Sequence, residues 1–269
     1  MVKKLLAVYW ALFAFKRTHI KNKNRIMRQL DPYSFFMHEN IILLASKGGN
    51  GKKILDVGSG GQWARNFFES QNFVYEGCDV QSSNNSDIQD FLVTNEILPV
   101  ESDSYDIIIA NSVLEHLKNP ELAISEWFRA LKPGGKLFLQ TNFLFQEHSS
   151  PDDYFRFSIY GLHELLNRQN FEIKMSCKIG ARFTFAQQLL LNWWLSKIEI
   201  PLVKFFSLDR LGKIVFLPVL FLTWLTNLFL GPCIFLILLA QSGLGNLPYF
   251  KRKPIFYTGV GAFAHKPAK

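Results

Sequence analysis

The chain has 269 residues, three cysteines and a net charge of +8. That length buries one good core plus a sizeable accessory part. Cys78, Cys177 and Cys233 are odd in number and far apart, which argues against a disulfide framework or a cysteine zinc site and fits a reducing compartment. The charge is unevenly spread. Residues 1–30 carry eight Lys/Arg and no acid, residues 31–173 carry ten against twenty Asp/Glu, and residues 174–269 carry twelve against two. The basic residues lie beside uninterrupted apolar runs, a pattern that points away from nucleic acid and toward an anionic membrane surface, which attracts them at about 1 kcal/mol per nearby Lys/Arg.

Taken in order, Leu5 to Phe15 is apolar between Lys3-Lys4 and Lys16-Arg17. No small-residue cleavage site follows, and eleven residues are too few to span a bilayer. An interfacial helix and plain packing on the core both fit it. A basic helix over 19–30 and a second helix opened by Asp31-Pro32 lead into Lys47-Gly48-Gly49-Asn50-Gly51, a loop. The next run, Lys53-Ile54-Leu55-Asp56-Val57-Gly58-Ser59-Gly60-Gly61-Gln62, reads as a buried strand turning sharply into a helix over 62–71. Glycine there lets the backbone take conformations closed to other residues and leaves room for a ligand. A second strand over 73–78 ends at Asp79, placing a carboxylate beside the glycine turn, where it suits a ribose. A short third strand is expected over 86–90 and a fourth over 105–110, with Asn111 at its C-terminal end, where open α/β sheets bind ligands. Asn119-Pro120 starts a helix that stops at Pro133-Gly134-Gly135. A fifth strand over 136–141, a helix over 159–168 and a sixth strand over 171–179 follow.

Asp56 stands inside its strand, two residues before Gly58, and the pyrophosphate spacing G-x-G-x-x-G is absent, which disfavours a dinucleotide site. The run instead resembles motif I of the class I S-adenosylmethionine-dependent methyltransferases, Asp-x-Gly-x-Gly. Leu98-Pro99, Ser104 to Ala110, Asn111 to Leu117 with its Leu-Glu-His, and Arg129 to Gly135 resemble later segments of that family in order. The resemblance implies an α/β fold: a doubly wound, mostly parallel, seven-stranded Rossmann-like sheet. Its last strand, antiparallel to the sixth, has its best match at 255–265. It also implies S-adenosyl-L-methionine as cofactor, with Gly58 and Gly60 against its amino-acid moiety, Asp56 supporting that loop and Asp79 on the ribose. Asp90, at the end of the third strand, matches the adenine-contacting acid or is a solvated loop acid.

The segment His148-Ser149-Ser150-Pro151-Asp152-Asp153-Tyr154-Phe155-Arg156-Phe157-Ser158 resembles the His-x-x-Pro-x-Asp-Tyr-x-Arg-Phe stretch of a type 11-like methyltransferase subgroup associated with surface-glycan and lipid-linked saccharide pathways. It gathers an imidazole, two carboxylates, a phenol and a guanidinium. His148 suits a base, an imidazole being the side chain whose ordinary pKa lies nearest neutrality, Arg156 suits a clamp for an acceptor phosphate or carboxylate, and Asp153 and Tyr154 complete the candidate catalytic group. A second reading stays open, in which Asp153 pairs with Arg156 to hold the loop while Ser158 caps the next helix. No metal site is expected.

Residues 181–250 would then be an apolar helical insertion inside a β-hairpin, between a core at 31–180 and a closing strand with a basic tail at 251–269. Ile214 to Ala240 holds 27 uncharged residues, enough to span about 30 Å. One crossing would strand the last strand on the wrong side, and Pro218 and Gly231-Pro232 break a straight helix. A broken hairpin or a pair dipping into one leaflet is expected, with a soluble helical cap as the alternative. The expected whole is a methyltransferase at the cytoplasmic face of a membrane rich in anionic lipid. Its acceptor would be lipid-linked or a surface glycan, with an isoprenoid quinone or other lipid, or a non-catalytic membrane-binding module, as alternatives.

Overall fold

The computed structural model describes residues 32–46, 48–80, 86–180, 217–218 and 257–268. The expected segment 1–30 and nearly all of 181–250 lie outside the described residues. The chain divides into two compact units, residues 1–31 with 181–255 and residues 32–180 with 256–269. All that follows concerns the second.

Its elements are α1 (Pro32–Ala45), β1 (Lys53–Val57), α2 (Arg65–Ser70), β2 (Val74–Val80), β3 (Phe91–Val93), β4 (Tyr105–Asn111), α3 (Pro120–Ala130), β5 (Leu131–Asn142), α4 (Ile159–Arg168), β6 (Glu172–Ile179) and β7 (Gly259–His265). The sheet order is β3-β2-β1-β4-β5-β7-β6. β7 runs antiparallel to both β5 and β6, and the other pairings are parallel. The expected seven-stranded sheet is therefore present, with its last strand inserted between the fifth and sixth.

Parallel strands covered on both faces read as unbroken apolar runs, because alternate side chains enter different cores. In β4, Ile108 and Ala110 join the core with Trp127 of α3 and Leu162 and Leu166 of α4. Ile107 and Ile109 enter the other, with Met37, Ile41 and Ala45 of α1 and Phe68 of α2. The 37, 41, 45 spacing is the buried stripe of α1. That helix lies close over β7: a Cβ on Gly259 would sit 2.4 Å from the Tyr33 ring, and one on Gly261 would sit 2.5 Å from Phe36.

Three boundaries differ from the sequence reading. The third strand is Phe91–Val93, not 86–90; Ser86–Ile88 is a 3-10 turn. β5 does not begin after Pro133-Gly134-Gly135 but runs through it as a bulge opposite Tyr105–Ile107. The reason is tertiary: Gly134 N–H donates to the Lys266 carbonyl at 2.9 Å, and Lys266 N–H to the Gly135 carbonyl at 3.0 Å. α2 starts three residues late because Gln62 has φ +47°, a left-handed conformation that no helix can begin from.

Strand order reverses between β1 and β4, the switch point outside which open α/β sheets bind ligands. Ile179 pairs with Gly259, so the chain between them leaves and rejoins the sheet at the C-terminal ends of the parallel strands, the same edge.

Candidate functional site

The glycine turn after β1 lies at that switch point. Gly58 has φ +65°, and a Cβ there would meet Val113 Cγ2, just past β4, at 2.6 Å. Gly60 also has positive φ, +51°, but its Cβ would meet nothing within 4 Å, so it borders open space where a ligand fits. Gly58→Ala combines the left-handed penalty with that collision. Chemical denaturation is expected to show a loss of about 2–4 kcal/mol.

Asp56 is buried and accepts a 2.5 Å hydrogen bond from the Tyr75 hydroxyl, tying β1 to β2 beneath the turn. Burial, then the Asp56 charge, drives the Tyr75 phenol far above its ordinary range, so it stays a donor. Asp79, at the end of β2, accepts from Gly60 N–H at 3.1 Å and from Val80 N–H at 2.8 Å. The carboxylate and the glycine turn, nineteen residues apart in sequence, are thus in direct contact. Gln89 adds a link that the sequence reading missed. Its Oε1 accepts from Ser59 Oγ at 2.5 Å and Gln62 Nε2 at 3.1 Å, and its Nε2 donates to the Gly60 carbonyl at 2.8 Å. Nothing in the spacing marks Gln89, whose partners all come from the turn after β1.

Asp90 is not at the end of the third strand. It precedes β3, and the strand's C-terminal end leads into Thr94. Its carboxylate accepts from Gly77 N–H at 2.6 Å and pairs with Arg65. Asp90 is thus bound into the β2–β3 framework through Oδ2, before the third strand and not at its end. Asp90→Ala leaves the Gly77 donor without a partner, a cost of about 1–3 kcal/mol. S-adenosylhomocysteine affinity should change less than about threefold, a shift of under 1 kcal/mol.

Asn111 ends β4 as expected, and its buried Oδ1 has no hydrogen-bond partner among the described residues. Buried polar atoms are normally satisfied, so an orphan at a ligand-binding edge marks where a ligand donor fits. Beside it, Tyr33 Oη and Ser112 Oγ are 2.9 Å apart, and Gln140 Nε2 donates to the Tyr33 carbonyl at 3.0 Å, bringing the start of α1 to the same edge.

The loop after β5 settles the two readings of Arg156. All five of its N–H donors are used internally. Two go to Asp153 Oδ1 and Oδ2 at 2.6 and 2.7 Å, and three to the carbonyls of Phe145, Gln146 and Phe155. An anion clamp needs free donors, so Arg156 is a loop staple. Asp153, with 2 % of its side chain exposed, also accepts from His148 N–H at 2.8 Å. The Arg156 hydrogen bonds, against a smaller opposing effect of burial, hold its carboxyl far below the usual range, so it is no proton acceptor. Ser158 Oγ caps α4 by accepting from Gly161 N–H at 3.1 Å. Tyr154 is exposed, and its hydroxyl donates to Asp152 Oδ1 at 2.7 Å, which raises its pKa.

His148 stays in play. Its ring meets His116 edge-on at 4.6 Å and Phe145 at 5.0 Å. Beneath lies Glu115, fully buried, accepting from Thr141 Oγ1 at 2.7 Å and Asn142 Nδ2 at 2.6 Å. Its carbonyl accepts Tyr154 and Phe155 N–H, joining the loop to the segment after β4. A separate cavity of about 440 Å³, lined by Lys52, Asp106, Lys132, Lys136, Phe263 and His265, opens at the other end of the sheet, away from this chemistry.

Residues 27–215 match a family described as "Methyltransferase domain". A ubiquinone biosynthesis O-methyltransferase of Coxiella burnetii is 31% identical over 102 residues, which is 34% of this chain and 44% of that protein. One from Pseudomonas entomophila is 29% identical over 103 residues, with the same coverages. The chain thus spans less than half the length of these curated relatives. Among solved structures, a protein assigned as a sarcosine dimethylglycine methyltransferase from Galdieria sulphuraria superposes with TM-score 0.54 at 14% identity, covering 97% of each chain. The [4+2]-cyclase SpnF superposes with TM-score 0.50 at 19% identity, covering 86% of this chain and 82% of its own. These likenesses speak for the fold. With the family match over most of its length, the chain belongs to the methyltransferase-domain family and carries the class I S-adenosylmethionine-dependent methyltransferase fold.

Proposed function

We propose that the protein transfers the methyl group of S-adenosylmethionine to an oxygen of a lipid-borne acceptor at a membrane surface. The observation that carries the donor side is the contact of Asp79 with Gly60 at the switch point. It sets a carboxylate for the two ribose hydroxyls beside a turn open enough for the methionine moiety. Methyl transfer from a sulfonium is an in-line displacement that releases a neutral thioether. The protein therefore chiefly aligns the reactants, excludes water and relieves the acceptor oxygen of its proton. His148 and His116 stand over the end of β5, on the acceptor side of the same edge.

Three features support a lipid-borne acceptor. The relatives are named for ubiquinone biosynthesis, Tyr154 and Phe155 expose aromatic surface on the site loop, and the basic, apolar stretch between β6 and β7 leaves and rejoins at the site edge. The His148–Phe157 segment favours a saccharide hydroxyl, the names of the relatives a phenol. Incubating radiolabelled donor with extracted membrane quinones and glycolipids, followed by mass spectrometry, separates them. Label in a quinone-type phenol supports the first class, label in a lipid-linked sugar the second. Label found only in water-soluble acceptors overturns the lipid reading. The membrane reading predicts co-sedimentation with anionic vesicles that 0.5 M salt weakens at least about tenfold, since exposed charges are screened within about 3–10 Å at such ionic strengths.

A further inference from the structure

We propose that Glu115, His116 and His148 form a site for a divalent transition-type cation on the acceptor side of the sheet edge. One ligand atom from each lies within 4.8 Å of those of the other two. The three come from two segments over thirty residues apart, joined by the bonds of Tyr154 and Phe155 to the Glu115 carbonyl.

Three observations point the same way. First, each imidazole has its Nδ1 turned to a carbonyl: His116 to Asp152 at 2.5 Å and His148 to Gln146 at 3.2 Å. His148 Nδ1 also lies 3.4 Å from Asp153 Oδ2. With Nδ1 turned to an oxygen in both rings, Nε2 is the nitrogen left to face a metal, as in metal-binding histidines. Second, Glu115 is a fully buried carboxylate with no Lys or Arg at salt-bridge distance among the described residues, the Arg156 guanidinium acting on it only from further off. Buried carboxylates are held by a cationic partner or a metal, and the hydrogen bonds from Thr141 and Asn142 leave lone pairs on both oxygens. Third, the Oδ1 of Asn142, a residue only 2% exposed whose Nδ2 is held by Glu115, has no partner among the described residues.

Two imidazoles and one carboxylate select Zn²⁺, Mn²⁺, Fe²⁺ or Co²⁺ over Mg²⁺ or Ca²⁺, which prefer oxygen alone. The site stands whether or not the acceptor is a lipid. On the oxygen-methylation reading it adds one consequence: His148 serves as a ligand instead of a base, and the cation acidifies the hydroxyl bound to it, so that its proton passes to solvent water and the resulting alkoxide or phenoxide takes the methyl group.

The test uses metal-stripped full-length protein titrated with Co²⁺ and followed by its visible absorption, then displaced by Zn²⁺. One equivalent is expected. His148→Ala and His116→Ala should each weaken it at least about tenfold, while S-adenosylhomocysteine affinity stays within about threefold of wild type, which shows the fold and donor site intact. Glu115→Gln should act likewise; since it is buried, the two histidine variants decide if it fails to fold. The proposal is overturned if wild type binds no stoichiometric Co²⁺, if binding survives both histidine variants, or if Mg²⁺ displaces Co²⁺. Loss of donor binding in wild type would instead overturn the methyltransferase reading and leave this site standing.

Discussion

Asp79→Ala is expected to weaken S-adenosylhomocysteine binding by about 10- to 100-fold in calorimetric titration. A charged hydrogen bond contributes about 1.5–3 kcal/mol, and each 1.4 kcal/mol is a factor of ten. On the proposed reading Asp79 accepts such bonds from the ribose hydroxyls while also holding Gly60 N–H. Asp79→Asn keeps one acceptor oxygen, so its loss should be smaller, about three- to tenfold. The residue is only half-buried, so the melting temperature should move little in either variant. A large fall in stability with unchanged affinity would instead make Asp79 a brace for the glycine turn alone.

Asp153→Ala should damage the protein in two ways at once. It leaves Arg156 with two donors and His148 N–H with none of their present partner. Removing one member of a buried pair costs about 3 kcal/mol. Arg156 is about a quarter exposed, which brings the figure nearer 2 kcal/mol. Turnover should fall by about 100-fold, because a displacement near 1 Å is enough for that, while donor affinity holds. Arg156→Lys cannot restore the fork and should resemble it. The pH dependence follows from the Asp153 carboxyl being depressed in the folded state. Its stabilisation is complete above the unfolded value of about 3.9 and is lost as pH falls below that toward the folded value. Wild type should therefore lose stability below about pH 4 more steeply than Asp153→Ala, in urea melts at graded pH. Equal slopes would mean the pair contributes nothing.

Read from sequence alone, the strongest signals were those where one residue type at one spacing has few physical uses. The apolar runs of β1 and β4, the glycines at 58 and 60 and the carboxylate at 79 follow from strand burial, positive φ and the length of a βα unit. They marked the strands and the glycine turn without any knowledge of partners, and the resemblance to the methyltransferases supplied the rest of the fold and the donor. Asn119-Pro120 and Ser158 marked helix starts for the same local reason. The boundaries that slipped depend on distant chain. β5 continues through Pro133-Gly134-Gly135 only because Lys266, over 130 residues later, supplies its hydrogen bonds. The third strand moved to Phe91–Val93, and with it Asp90 became a bracket for Gly77 and Arg65 instead of a strand tip.

The acceptor side shows the divide most clearly. His148, Asp153 and Arg156 were visible in the sequence as a reactive set, but residue type says nothing about which donors are already spent. Folding commits Arg156 to Asp153 and three carbonyls, and brings Glu115 and His116 from beyond β4 to meet His148 instead. Covalent neighbourhood and backbone sterics determine strands and turns. Hydrogen-bond saturation and burial, properties of the folded surroundings, decide which polar side chains remain available for chemistry.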